Sequence, residues 1–329
     1  MTITRRVFTL SGLASASLPA VSETRAPSRT GPLRILVAQP AGGVTDAFAR
    51  AVAPELGRRL GSTAVVENMP GASGSIAASH LLNAPADGTT ILVGSPSETV
   101  LAPLMLRAVR YQPTDFRLLG LINRSPLALY ARSDLPANSL DELITLAHQR
   151  AKHALNYGST GQGSLFHLVT ETLLSATGST ATHVPYRGGV PMLNDLRAGR
   201  IDFTVLPVDA LLDNMVAAGQ MKVLSVFSAQ RLARFPQVAT VAEGPWATGI
   251  AQPGIWVGLL VPASVSDTIS AQLHTAAIEA LADAQVRRAI GNAGGSVPPP
   301  MSLQEAGRFY AADEMKLRSL VKAARVEPL

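Results

Sequence analysis

Apolar runs and polar turns alternate along almost the whole of this chain. Leu33-Arg34-Ile35-Leu36-Val37-Ala38 is a short, nearly continuous apolar run, as expected of a strand covered on both faces. Beyond it Phe48, Val52, Leu56 and Leu60 recur every fourth residue, which predicts a helix over 45–60 with Thr45 as its N-cap and Gly61 as its stop. Pro54 falls inside that helix and is expected to kink it or to end its first half. Ala64–Glu67 reads as the next strand, and Met69–Gly74 as a turn into a helix that runs through Leu82. Thr90–Val93 reads as a third strand, ending in Gly94-Ser95-Pro96-Ser97.

A second series repeats the alternation. Leu127–Ala131 reads as a strand, Leu140–Ala151 as a helix, and Leu155–Tyr157 as a short strand opening into Gly158-Ser159-Thr160-Gly161-Gln162-Gly163-Ser164 and a helix through Leu174. Thr182–Tyr186 follows as a strand, with Arg187-Gly188-Gly189 leading into a helix over Met192–Ala198. Strands are predicted again at Asp202–Leu206 and Lys222–Phe227, a return strand at Ile255–Val261, and a helical tail from Ser266, broken near Gly294-Gly295 and at 297–300. Two series of βα units with a return strand predict an α/β chain of two lobes, each a mainly parallel sheet flanked by helices, with a cleft between them. In such sheets ligands lie beyond the carboxyl ends of the strands, where glycine-rich loops meet helix N-termini.

Composition narrows the function. The 329 residues are 47% apolar and only 16% charged, which excludes a disordered or coiled-coil protein. The absence of cysteine excludes disulfides, thiolate metal sites and a cysteine nucleophile. Residues 1–26 read as a signal peptide of the twin-arginine type: Arg5-Arg6-Val7-Phe8 precedes a weakly apolar stretch to Ala20, with Thr24 and Ala26 marking one cleavage point and Ala20 another. Export to the periplasm, by the route that carries folded proteins, is therefore expected. Cleavage after Ala26 removes three arginines and one glutamate and lowers the net charge from +5 to +3, a mild balance that suits small anions. No basic stripe with interleaved aromatics points to nucleic acid. The six histidines have no metal-ligand spacing, and neither a nucleophile elbow, a phosphate-binding lysine loop nor a dinucleotide fingerprint occurs, so no metal, cofactor or catalytic residue is assigned.

The candidate chemistry lies in the loops. In Gln39-Pro40-Ala41-Gly42-Gly43-Val44-Thr45-Asp46, Gly42 and Gly43 let the backbone approach a ligand closely while the helix presents its unpaired N–H groups to an oxyanion. Asp46 reads equally as a first-turn acid, worth roughly 0.3–1 kcal/mol against the helix dipole, or as a ligand contact. Ser159, Thr160, Gly161, Gly163 and Ser164 offer hydroxyls and N–H groups that can converge on one carboxylate, each charge-assisted bond worth about 1.5–3 kcal/mol. Ser95 and Ser97 are candidates at a strand's carboxyl end, and Tyr186 and Arg187 at the cleft edge, Arg187 either binding anions or bracing the lobes. His167 reads as a packing residue rather than a ligand contact, and Trp256 as core.

Six stretches in order make the chain resemble the tripartite tricarboxylate transporter substrate-binding proteins, the Bug family of periplasmic solute receptors. They are Pro40–Asp46, Val65–Gly74, Ala84–Thr90, Asn156–Ser164, His183–Gly189 and Trp256–Pro262. The resemblance implies a two-domain Venus flytrap closing on a small carboxylate through backbone amides, hydroxyls and waters rather than a dominant arginine salt bridge. It implies domain 1 over 27–130, domain 2 over 131–249, and a return to domain 1 over 250–329. It implies no cofactor, and as partners a small carboxylate and the membrane components of a tripartite tricarboxylate transporter, or a sensor protein in signalling. A monomer is expected. Pro40-Ala41 stands where relatives commonly have two prolines, Gln39 where an aromatic is usual, and Ser95-Pro96-Ser97-Glu98 is an unusual third loop. Ala41 and these positions contact or flank the ligand in this scheme. The rivals are a secreted α/β enzyme acting on a carboxylated substrate, which needs an activated nucleophile or base, and a cytoplasmic effector-binding domain, which has no use for an export signal.

Overall fold

The computed structural model describes residues 31–149, 154–244 and 253–328. The twin-arginine leader, the end of the helix predicted to reach Ala151, and His153 lie outside them. In chain order the strands and helices are β1 (Leu33–Val37), α1 (Val44–Arg59), β2 (Ala64–Asn68), α2 (Ser75–Asn83), β3 (Thr90–Gly94), α3 (Ala102–Met105), β4 (Phe116–Ser125) and β5 (Leu127–Arg132). Then come α4 (Leu140–Gln149), β6 (Leu155–Ser159), α5 (Leu165–Thr177), β7 (Ala181–Pro185), α6 (Gly189–Arg197), β8 (Phe203–Pro207), α7 (Ala210–Ala217) and β9 (Met221–Phe227). The chain ends with β10 (Ile255–Pro262), α8 (Asp267–Ala282), α9 (Ala284–Asn292) and α10 (Leu303–Ala324).

The strands form two five-stranded sheets, in the orders β2-β1-β3-β10-β4 and β7-β6-β8-β5-β9. Both have one plan. Three strands run parallel, the fourth runs against them, and the edge strand beyond it resumes the first direction. In each sheet the reversed strand, β10 or β5, is the one exchanged with the other lobe. The expected pair of mainly parallel sheets flanked by helices is what the chain adopts.

The continuous apolar run of β1 follows from its central place. Ile35 pairs with Val66 on one side and Ile91 on the other. Leu33, Ile35 and Val37 face a core closed by Phe48, Val52 and Leu56 of α1 with Leu273 and Ile290 of α8 and α9, whereas Leu36 faces the opposite core. That second core is continuous through both lobes, from Leu36, Leu92 and Met105 to Tyr157, Leu168 and Phe203.

Several expectations are corrected. The chain leaves the first sheet at Pro126, so residues 127–130, assigned to domain 1, are β5 of the second sheet. The crossing is a single residue because β4 ends at Ser125 beside the returning β10: Ile255 pairs with Ser125, and the Val208 N–H donates to the Pro126 carbonyl at 3.0 Å. The hydrophobic pattern predicts nothing at β4 because Arg117, Gly120, Asn123 and Arg124 interrupt it, yet β4 pairs with β10 along its length, with α10 packed on it. Pro54 does not break α1; it is exposed, as is Arg50, whose carbonyl it leaves without a helical partner. Gly43, not Thr45, caps α1.

The C-terminal segment, assigned to domain 1 alone, covers both lobes, since α10 packs on β4 and on α5. Its hold on the first lobe is specific. The Trp256 indole N–H donates to Asp313 Oδ2 at 2.7 Å, and Tyr310 Oη donates to the Pro113 carbonyl at 3.1 Å.

Candidate functional site

The carboxyl ends of the parallel strands β2, β1 and β3 carry three loops of the first lobe. After β1, Ala41, Gly42, Gly43 and Val44 are exposed, and the N–H groups of Val44, Thr45 and Asp46 begin the helix with no acceptor inside it. Gly42 has a φ of +84°, which only glycine adopts without strain.

Asp46 braces this loop. It is 3% exposed. Oδ2 accepts the Gly42 N–H at 2.9 Å and the Arg50 Nε–H at 3.0 Å, and Oδ1 accepts from Asn68 Nδ2 at 3.0 Å. Burial pushes its carboxyl up, but bonds from Arg50, Gly42 and Asn68 outweigh burial and hold it below its ordinary value. It sits in the first turn, as one of its two sequence readings has it, and beyond either reading it braces the loop, with Arg50 balancing its charge. Asn68 also donates to the Gln39 carbonyl at 3.1 Å, tying the β1 loop to the end of β2.

After β3 the chain enters a wide turn of π-helix over Ser97–Leu101, a geometry frequent at functional sites. Ser95 is buried and its hydroxyl is engaged: it donates to Glu98 Oε2 at 2.8 Å and accepts the Ser97 N–H at 3.2 Å. Ser97 is half-buried, and its hydroxyl has no protein partner among the described residues.

The second lobe's loop follows β6. Ser159 Oγ lies 2.7 Å from His183 Nε2, donates to the Gly161 carbonyl at 2.9 Å and accepts the Gly161 N–H at 3.2 Å. This hydroxyl is fully buried, a brace rather than a presented nucleophile. The Gly163 N–H donates to His167 Nδ1 at 3.0 Å, and Ser164 caps α5 by accepting the His167 N–H at 3.4 Å. Thr160 and Gly161 are half-buried at the turn, where Gly161 has a φ of +134° and a Cβ would meet nothing within 4 Å. The Thr160 hydroxyl has no protein partner among the described residues. Tyr186 is turned inward on its own lobe, its N–H on the Ser159 carbonyl at 2.9 Å and its hydroxyl on Asp195 Oδ2 at 2.8 Å. Arg187 is exposed and makes no hydrogen bond or ion pair among the described residues.

Two supports go beyond the sequence reading, which has His167 as a packing residue but no partner for it. His167 and His183 stack with their ring centroids 4.0 Å apart, beside Tyr157 at 4.9 Å from His183. Burial lowers both imidazoles to about 4, and His167 further opposes the charging of His183, so both are neutral acceptors or donors at neutral pH. Together they hold the Ser159–Ser164 loop from beneath. Glu98 plays the corresponding part in the first lobe. The only signals in the sequence were the odd third loop and the four-residue spacing of His167 and Glu171, whose side chains stand 3.9 Å apart.

The loops of the two lobes come together at Gly163. A Cβ there would lie 3.1 Å from the Cβ of Met105, in α3 of the first lobe, just beyond the Ser95–Glu98 turn. A second approach joins Gly294, whose Cβ would lie 3.2 Å from the Ala210 nitrogen at the start of α7. A cavity of about 870 Å³ elsewhere on the first lobe is lined by Ser75, Ser79, Leu82, Leu106 and Arg110, and none of the candidate residues reaches it. The described residues include no group of acids and histidines able to hold a metal, and no helix long and apolar enough to cross a membrane.

Comparison with known proteins agrees with this layout. Residues 48–326 match the family described as the tripartite tricarboxylate transporter family receptor. A UPF0065 protein of Bordetella pertussis is 34% identical over 273 residues, 83% of this chain and 82% of that protein. Among solved structures, Rpa4515 of R. palustris with adipate is 32% identical, with a TM-score of 0.79 over 91% of this chain and 99% of that one. MatC (Rpa3494) of Rhodopseudomonas palustris with bound malate is 26% identical, with a TM-score of 0.76 over 89% and 99%. The chain belongs to the tripartite tricarboxylate transporter family of receptors: it is a solute-binding receptor and not an enzyme.

Proposed function

We propose that the protein is a periplasmic receptor that takes a small organic di- or tricarboxylate between its lobes and presents it to the membrane components of a tripartite tricarboxylate transporter. Its likeness to the adipate-bound Rpa4515 structure, along nearly the whole of both chains, carries this assignment. The loops supply the chemistry. The α1 N-terminus with Ala41, Gly42 and Gly43 offers backbone N–H groups and a favourable dipole to one carboxylate. Ser97, Thr160, Gly161 and Ser164 line the same region from the two lobes, and Arg187 is the unpaired cation at the rim. Asp46, Ser95, Ser159, Gly163 and Tyr186 hold these groups in place. The leader at 1–26 directs the folded chain to the periplasm, and the receptor works as a monomer.

A thermal-shift screen of the refolded mature protein against mono-, di- and tricarboxylates, amino acids and neutral controls tests this. A ligand at a hundred times its Kd adds about 2.7 kcal/mol of stability, a rise of several degrees. A rise confined to some carboxylates, with none consumed, is the expected result. No rise with any carboxylate overturns the assignment. Gly161→Leu should abolish the rise and leave the protein folded, because the site has room but the side chain faces strain of about 1–3 kcal/mol at that φ. Retained binding would move the site away from this loop.

A further inference from the structure

Glu98 lies where the three loops of the first lobe meet, and its side chain is 0% exposed. Oε1 accepts the Ser95 N–H at 2.6 Å, and Oε2 accepts from Ser95 Oγ at 2.8 Å. Two glycines leave it room. A Cβ on Gly74 would lie 2.7 Å from Glu98 Cβ and 3.0 Å from Ala38 Cβ, and a Cβ on Gly94 would lie 2.9 Å from Oε1. The side chain therefore stands at the end of β3, beside Gln39 after β1 and against Gly74 after β2, among the loops proposed above to hold the ligand.

Its surroundings contain no positive charge. From the β1 loop it meets the side chain of Gln39, whose Oε1 is itself buried without a hydrogen-bond partner. From the segment before β4 it meets Tyr111, whose hydroxyl donates to the Glu98 carbonyl at 2.5 Å. From α10 Tyr310 is near enough for the Glu98 charge to oppose its ionisation, its hydroxyl being bonded to the Pro113 carbonyl. No Lys, Arg or His among the described residues bonds or pairs with it, and Asp46, the other acid of this face, has its own cation in Arg50. A carboxylate buried without a cation is costly and is relieved by a proton. Ser95 and Gln39 donate bonds that favour its charge, but burial outweighs them.

We propose that Glu98 sets the charge class of the ligand: as an uncharged acid it admits an anionic carboxylate above the loops, and binding in the neutral-to-alkaline range draws a proton onto it. This role rests on the carboxylate-capture function proposed above. An anion placed over the loops makes Glu98 still harder to ionise, so affinity falls as pH rises through neutrality. With Glu98 titrating at about 7 in the free protein, Kd should weaken about tenfold between pH 6 and pH 8.

The experiment has two arms. The first needs no ligand: infrared difference spectra of wild type minus Glu98→Gln should show the carbonyl band of a protonated carboxyl at pH 6 and its loss at pH 8. The second is calorimetry with adipate and malate as probes, both ionised across this range, at both pH values and in buffers of different ionisation enthalpy. Wild type should take up about one proton at pH 8 and almost none at pH 6, and Glu98→Gln should bind with no such dependence. Absence of the band at pH 6 overturns the proposal whatever binds. So does a wild-type Kd that is unchanged between the two pH values, or a dependence that persists in Glu98→Gln. A band that behaves as expected, in a protein that binds no carboxylate at either pH, overturns the capture function and with it the role of Glu98 in ligand choice.

Discussion

Replacing Glu98 by glutamine should make the protein more stable, and only above about pH 5. Burial lifts the Glu98 carboxyl from 4.5 to about 7, against the bonds from Ser95 that favour its charge. A folded-state value above the unfolded one means that the unfolded chain releases this proton first, so stability is lost as pH rises. The penalty is absent below 4.5, grows between 4.5 and 7, and is complete above 7. At about 1.4 kcal/mol for each pH unit between the two values, the complete penalty is about 3 kcal/mol. Glutamine keeps an oxygen for the Ser95 N–H and fills the same space between Gly74 and Gly94, but it never charges. Urea unfolding of wild type and Glu98→Gln at pH 5, 6, 7 and 8 reads the difference directly. The variant should lead by less than about 1 kcal/mol at pH 5 and by progressively more above it, reaching about 3 kcal/mol at pH 8. A gap that is constant with pH, or that favours wild type at pH 8, would refute an unpaired buried acid at this position.

Further outcomes follow from the same contacts. His167 sits below its ordinary value, so wild type should lose stability as pH falls from 6.5 to about 4, by up to about 3 kcal/mol for this ring. His167→Asn keeps an acceptor for the Gly163 N–H and should flatten that loss in acid unfolding curves; an unchanged slope would clear His167 of responsibility. Gly163→Ala adopts a φ of +73° and approaches Met105 at 3.1 Å, and should cost about 2 kcal/mol in denaturant unfolding, whereas no loss would mean that the loops do not meet there. Trp256→Phe leaves the half-buried Asp313 carboxyl, raised by its partial burial, without its indole donor. It should cost about 1–3 kcal/mol, more at pH 8 than at pH 5, and an equal cost at both would place the loss in packing alone.

Much of this protein was legible before any coordinates. The nearly continuous apolar run of β1 and the four-residue spacing of Phe48, Val52 and Leu56 specify a strand and a helix from local pattern alone, and the glycines at 42, 161 and 163 mark turns that other residues enter only with strain. The two βα series and the resemblance placed the loops at the strand ends. What local pattern does not contain is partnership across the chain. β4 is invisible because its polar residues are accommodated only once β10, arriving some 130 residues later, pairs with it. Pro54 is harmless only because its face of α1 is the wet one. The division between support and contact among the site residues depends on where each hydrogen bond goes. Ser95 and Ser159 look like Ser97 and Thr160 in sequence, yet the first two turn their hydroxyls to Glu98 and His183. The charge of Glu98 itself is a property of its burial, and burial is decided by the three strands, two glycines and one helix that close around it.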